Sequence, residues 1–305
     1  MAERFVDQGD LLLWTESFGS PKNPAILLIM GIGGQAIVWP DRFCQLLADN
    51  GFFVIRYDSR DTGKSSKIDY SKHSYGLDEM VNDAAAILDA YNIKEATLVG
   101  SSMGGTIAQL AALKYPKRVS HLVLIMSTPD LSVIAQAVLP TVFRVFARLF
   151  WHRGSAKPNL PLPKRDVISF FRSQIFFPLK NQKKRLEAAI DTWRVFSGGG
   201  IFDEREFRTL EENILRRSDG QDGFINHSKA ILRSLKNKID VHKIIQPTLI
   251  IHGELDPVFP LKHAEVLAQE IPHAYLEIIP DMGHILPSEL SEKLASMIVY
   301  FLKSR

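Results

Sequence analysis

Ser102 lies in Gly100-Ser-Ser-Met-Gly104, between the apolar run Thr97-Leu-Val99 and Gly105-Thr-Ile-Ala108, whose small and apolar residues read as the start of a helix. Glycines two residues to either side of a serine let a strand turn sharply into a helix with the hydroxyl at the apex. Ser101 does not fit this frame, because Val99 and Met103 flank it at the same spacing. A serine hydroxyl is a poor nucleophile at neutral pH, so this turn has chemical meaning only with a base and an acid to activate it. His284, in Pro280-Asp-Met-Gly-His284, supplies the base, and Asp256, in His252-Gly-Glu-Leu-Asp-Pro257, the acid. Glu254 and Asp130 are the rival acids, Asp130 lying beside Pro129 at the entry to a helical block. Attack on an acyl carbon also needs two backbone N–H donors for the developing oxyanion. The candidates are Met103, next after the nucleophile, and Ile32, in the loop Met30-Gly-Ile-Gly-Gly34.

These residues are useful only if strands deliver them to one rim. Residues 3–7 and 11–18 read as a hairpin around Gln8-Gly-Asp10, and Ala25–Met30 as a buried strand. A helix opens at Pro40-Asp41 and closes at Asn50-Gly51, and Phe52–Tyr57 returns as a strand. Gly76–Tyr91 has a helical face of Met80, Ala84, Ile87, Leu88 and Tyr91. The helix Met103–Tyr115 stops at Pro116, and His121–Met126 is again a strand. After an interruption the alternation resumes with the strand Thr248–His252, a helix over Leu261–Glu270, the strand Tyr275–Ile279 and a helix from Pro287 to Leu302. Strands alternating with helices predict a mostly parallel sheet covered on both faces, with its chemistry at the carboxyl ends of the strands. Ser102, Asp256 and His284 each follow such a strand.

The interruption spans residues 131–240 and reads as helices over Val133–Trp151, Lys164–Ile175, Lys183–Phe196, Glu204–Arg217 and Gly223–Leu235. The spacing therefore predicts a core of residues 1–130 and 241–305 with an inserted helical cap of residues 131–240. This block holds 20 of the 37 Lys and Arg but only 11 of the 34 Asp and Glu, so the cap is basic and the remainder acidic. Lys157–Pro163 and Ser197-Gly-Gly-Gly200 read as linkers where helices turn over a surface. Gly31, Trp39, Phe143, Phe146 and Phe150 are the candidate pocket residues. The wide apolar face around Phe143, Phe146 and Phe150 suits a lid over the pocket, with dimer contact and an anionic membrane surface as other readings.

Taken together, Val54-Ile-Arg-Tyr-Asp-Ser-Arg-Asp-Thr-Gly-Lys-Ser65, Gly100-Ser-Ser-Met-Gly104, Asp256-Pro257, Gly283-His284 and Pro287-Ser288 resemble the α/β-hydrolase superfamily, and within it the aclacinomycin methylesterase group. The order Ser102, Asp256, His284 is the order that fold imposes. The resemblance implies an eight-stranded sheet, a helical cap and a serine esterase mechanism on a small-molecule ester, with no cofactor. It places nucleophile, acid and base on Ser102, Asp256 and His284, and the oxyanion donors on Ile32 and Met103. Its motifs flank the cap without entering it, so the family's substrate does not follow. Carbon–carbon bond hydrolases, perhydrolases and receptors retaining the triad share the pattern.

Other chemistries fit less well. Gly31-x-Gly33-x-x-Ala36, with Asp58 about twenty residues on, approaches a dinucleotide fingerprint, but Val38-Trp-Pro40 interrupts the helix that motif requires. Gly63-Lys-Ser65 lacks the glycine five residues earlier that a phosphate loop needs. With one cysteine, Cys44, and no His-Glu-x-x-His, neither a disulfide nor a metal is expected. The acidic N-terminus and the absence of a long apolar run point to a cytoplasmic chain, monomeric or homodimeric, with no nucleic-acid partner.

Overall fold

The computed structural model describes residues 2–134, 160–176, 181–217, 223–236 and 239–304. β1 (Ala2–Asp7) and β2 (Leu12–Phe18) form the expected antiparallel hairpin, closed by the Gln8 N–H on the Leu11 carbonyl at 2.8 Å. β2 runs antiparallel to β4 (Phe53–Tyr57), and from there the sheet is parallel through β3 (Ala25–Ile29), β5 (Ala96–Ser101), β6 (Val119–Ile125), β7 (Thr248–Gly253) and β8 (Ala274–Ile279). The eight strands lie in the order β1-β2-β4-β3-β5-β6-β7-β8.

β3, β4, β5 and β7 are buried along their whole length because both faces of the sheet are covered, which is why they read as continuous apolar runs rather than alternating ones. The period of two still sorts their side chains. Leu27 and Ile29 enter one core with helices α2 (Leu77–Ala90), α3 (Met103–Lys114) and α8 (Lys262–Glu270), while Ile26 and Leu28 enter the other with α1 (Asp41–Asp49) and α9 (Ser291–Ser304). Each fully buried aliphatic side chain contributes roughly 1.5–3 kcal/mol, so this double core holds the strand ends in fixed relation. α3 is apolar nearly all round, because it follows the central strand and packs beneath the site.

Between β6 and β7 the chain carries α4 (Arg165–Phe176), α5 (Gln182–Phe196), α6 (Glu204–Arg217) and α7 (Gly223–Ser234), with no strand among the described residues. α5 starts where the sequence provides a cap: the Asn181 side chain accepts the Lys184 N–H at 3.0 Å. Of the helix expected over Val133–Trp151, the part beyond Ile134 lies outside the described residues.

Candidate active site

β5 ends at Ser101 and α3 begins at Met103, leaving Ser102 at the junction with φ 55° and ψ −121°. Such a backbone costs a non-glycine residue of order 1–3 kcal/mol, so neighbouring bonds must hold it. The Ser102 N–H donates to the Ile125 carbonyl at 2.9 Å, and the Ser102 carbonyl accepts the Gly105 N–H and the Ser127 hydroxyl, each at 3.0 Å. Gly100 and Gly104 have ordinary φ angles, and what makes them glycine is space. A Cβ on Gly100 would overlap the Gly104 carbonyl, and one on Gly104 would overlap the Ile29 carbonyl of β3. The tight packing of β3, β5 and α3 thus aims the Ser102 hydroxyl at the rim.

The loop after β3 comes up beside it. A Cβ on Gly31 would stand 3.1 Å from the Ser102 Cβ, and the Gly34 N–H closes a turn on the Gly31 carbonyl at 3.2 Å. The Met103 N–H belongs to the first turn of α3, where helical N–H groups have no intrahelical acceptor. Ile32, Met103, Ser102 and Gly31 line one cavity of about 100 Å³.

The loops after β7 and β8 complete the rim. Asp256 Oδ1 accepts the Val258 and Phe259 N–H groups, each at 2.8 Å, and Oδ2 lies 2.7 Å from His284 Nδ1. Burial raises the cost of its charge, but His284, His252 and the Phe259 N–H outweigh that and hold the Asp256 carboxyl below its ordinary range. An ionised carboxylate can only accept, so His284 Nδ1 carries the proton and Nε2 is left as the basic nitrogen. The His284 ring lines the same cavity as Ser102. Of the three acids considered, the structure brings Asp256 to His284. Glu254 is exposed, and the Asp130 carboxylate accepts the Ser132 N–H at 2.9 Å.

A second histidine, His252, stands behind Asp256. Its Nε2 lies 2.7 Å from the Phe259 carbonyl and 3.5 Å from Asp256 Oδ2, and burial pushes its pKa down despite the adjacent carboxylate. It therefore ties the turn that supplies the Phe259 N–H to Asp256.

The cap reaches into this site where the sequence suggested a mere linker. The His284 N–H donates to the Phe196 carbonyl at 2.7 Å, and the Ile201 N–H donates to the Asp281 carbonyl at 2.9 Å. Gly198 has φ +66°, and a Cβ there would overlap the Leu255 carbonyl, next to Asp256. Ser197-Gly-Gly-Gly200 is thus a close-packed junction against the acid and base loops rather than a free turn. The rings of Phe196 and Phe259 meet His284 edge-on, with centroids 6.0 and 5.5 Å away.

Pocket residues divide. Gly31 lines the cavity, whereas Trp39 does not: it is buried in the other core, stacked on Phe43 at 5.5 Å, because its position falls on the far side of the sheet. Phe143, Phe146 and Phe150 lie outside the described residues. Sequence reasoning missed Phe171, Trp193, Phe196 and Met126, which line the cavity. The first three sit on helices α4 and α5 with no local signal beyond amphipathic spacing, and Met126, just after β6, has a left-handed φ of 50° that the sequence does not advertise. Trp193, Phe171, Phe196 and Ile32 also line an adjoining cavity of about 550 Å³ between α5, α6, α7 and the loop after β3.

The dinucleotide alternative fails on Asp58, which would have to meet a ribose. Its carboxylate is buried and accepts the Ala36 and Lys64 N–H groups, each at 2.8 Å, and Arg217 at 2.7 Å. Among the described residues there is no group of three or more His, Cys, Asp or Glu that could hold a metal ion, and no helix long and apolar enough to cross a membrane.

A family model described as the alpha/beta hydrolase fold matches residues 24–289. The chain belongs to the α/β-hydrolase family. Rhodomycin D methylesterase DauP of Streptomyces sp. (strain C5) is 35% identical to this α/β-hydrolase over 299 residues, 98% of this chain and 97% of the relative. Rhodomycin D methylesterase DnrP of Streptomyces peucetius is 34% identical over the same shares. The likeness to a methylesterase group, expected from the motifs, is borne out, and the α/β-hydrolase is an enzyme of the carboxylesterase class. A crystal structure of a hydrolase from Pseudomonas aeruginosa PA01 superposes with a TM-score of 0.71 at 24% identity, covering 98% of each chain, and shows the same fold.

Proposed function

We propose that this α/β-hydrolase is a serine carboxylesterase that works through an acyl-enzyme on Ser102. The observation that carries the reading is the His284 Nδ1–H held on Asp256 at 2.7 Å while the His284 ring and Ser102 line one cavity. His284 Nε2 takes the Ser102 proton as Oγ attacks the ester carbonyl, and Asp256 stabilises the imidazolium without taking the proton. The N–H groups of Ile32 and Met103 receive the tetrahedral oxyanion. Collapse breaks the bond to the alkoxy oxygen, His284 returns the proton to the leaving alcohol, and water repeats the sequence to release the acid.

The substrate class that this reading favours is a methyl ester of a bulky acid. Similarity to two rhodomycin D methylesterases supports it. The cavities are consistent with it, since one of about 100 Å³ suits a small group at Ser102 and the adjoining one of about 550 Å³ suits a larger one. Ser102→Ala is the test: turnover of an aromatic methyl ester falls by several orders of magnitude, with folding unchanged by circular dichroism. A serine-directed organophosphonate adds one adduct, on Ser102. Retention of more than about a hundredth of the wild-type rate removes Ser102 as nucleophile, and equal turnover of methyl and long-chain alkyl esters of one acid removes the substrate assignment alone.

A further inference from the structure

The loop that carries Ile32 is held from the cap side as well as from the core. Gly33 has φ +65°, and its N–H turns away from the sheet to meet His227 Nδ1 on α7 at 3.0 Å. On the far side of the ring, His227 Nε2 lies 2.8 Å from the Arg60 carbonyl. A carbonyl only accepts, so Nε2 carries the hydrogen, and Nδ1 is then the bare acceptor that the Gly33 N–H requires. The ring is fully buried. α7 also leaves the loop no slack, since a Cβ on Gly33 would come within 3.1 Å of the Phe224 backbone.

The geometry follows peptide by peptide. The Ile32 N–H and the Gly31 carbonyl belong to one peptide unit, and that carbonyl is fixed by the Gly34 N–H at 3.2 Å. The next unit, joining Ile32 to Gly33, is fixed by its N–H on His227. With both planes anchored, the direction of the Ile32 N–H is set before any substrate arrives. An oxyanion donor is effective to the extent that it needs no reorganisation as charge develops. We infer that His227 is a positioning residue for the oxyanion donor at Ile32, acting through the Gly33 N–H, so that a cap helix sets the efficiency of a core loop. This inference rests on the serine esterase reading above.

Two substitutions separate the halves of the ring. His227→Asn places a carbonyl oxygen where Nδ1 lies and keeps the acceptor for Gly33, whereas His227→Gln places its amide nitrogen near Nε2, keeping the donor to Arg60 and losing the acceptor. Steady-state rates on an aromatic methyl ester are expressed per site titrated with the organophosphonate, which excludes unfolded protein. The expected result is a fall in kcat of about tenfold or more for His227→Gln with KM changed less than about twofold, and recovery to within about threefold of wild type in His227→Asn. The rate of Ser102 phosphonylation follows kcat. Should His227→Gln not fold, His227→Met, which fills the volume and offers neither hydrogen bond, is read in its place. Wild-type kcat in His227→Gln, or equal losses in both variants, overturns the inference while the Ser102 adduct still forms. No adduct on wild-type Ser102 overturns the esterase reading and the inference with it.

Discussion

Asp256→Asn is the substitution whose effect the structure specifies most narrowly. Oδ1 accepts two backbone N–H groups, from Val258 and Phe259, at 2.8 Å each, and an amide NH2 in that position would oppose both. The asparagine oxygen must therefore stay there, which forces its NH2 to the Oδ2 position, 2.7 Å from His284 Nδ1. His284 then accepts at Nδ1 and carries its proton on Nε2, which leaves no lone pair there to take the Ser102 proton in the proposed mechanism. The wrong tautomer in a serine triad costs about 10⁴ in kcat, equivalent to about 5 kcal/mol of barrier. Both backbone bonds survive, so the fold is retained, and the assay is kcat for an aromatic methyl ester beside a circular dichroism spectrum. A stability effect accompanies it. Because the folded pKa of Asp256 lies below the ordinary 3.8, the charged group stabilises the wild type above that pH, and this advantage is lost as pH falls through the lower folded value. The difference in Tm between wild type and variant therefore closes in strong acid. A kcat within about tenfold of wild type, or an equal loss in Glu254→Gln or Asp130→Asn, refutes the assignment.

Two further outcomes follow from charges buried elsewhere. Burial pushes the pKa of His121, His252 and His263 down from 6.5, so the unfolded chain takes up protons that the folded chain refuses. Tm is expected to fall as pH is lowered from 7.5 to 5 in differential scanning fluorimetry, beginning near pH 6.5, and a flat or rising Tm contradicts the burial assigned to these rings. Arg217→Met removes the cation that meets the fully buried Asp58 at 2.7 Å and lies over Trp14 at 4.2 Å from the ring centroid. Because the arginine is partly exposed, the loss falls at the lower end of the range for broken buried pairs, about 3 kcal/mol in urea unfolding, and less than about 0.5 kcal/mol shows that α6 is not held to the core by this pair.

Much of the site was legible because its requirements are local. The Ser102 turn needs small residues within two positions on each side, and Gly100 and Gly104 provide them, so a window of a few residues carries the signal. The strand that delivers Asp256, β7, is a continuous apolar run because both its faces are buried, whereas β8, which delivers His284, is a largely exposed edge strand, and their order along the chain restricts which loops share a rim. Four of the helices expected in the insertion fall on described residues and are present there, each with an apolar and a polar face that a local window can show.

Partnership across the chain was not legible. Asp256, Glu254 and Asp130 all follow strands, and only the placement of the loops after β7 and β8 brings one of them to His284. Trp39 and Gly31 lie in the same loop region, yet the sheet separates them into different environments, since a few residues of chain direction decide which face a side chain meets. The longest-range decisions came from the insertion: Gly33 meets His227 across 194 positions, and Asp58 meets Arg217 across 159. A hydrogen bond of about 3 Å imposes no pattern on residues so far apart, because either partner alone reads as a solvated or buried polar group. Local patterns thus specify which residues could do chemistry and on which strand ends they stand. Which acid meets His284, which histidine bonds the Gly33 N–H, and how closely Ser197-Gly-Gly-Gly200 packs against the loops of Asp256 and His284 are settled on folding, since these depend on contacts between segments whose approach no local pattern encodes.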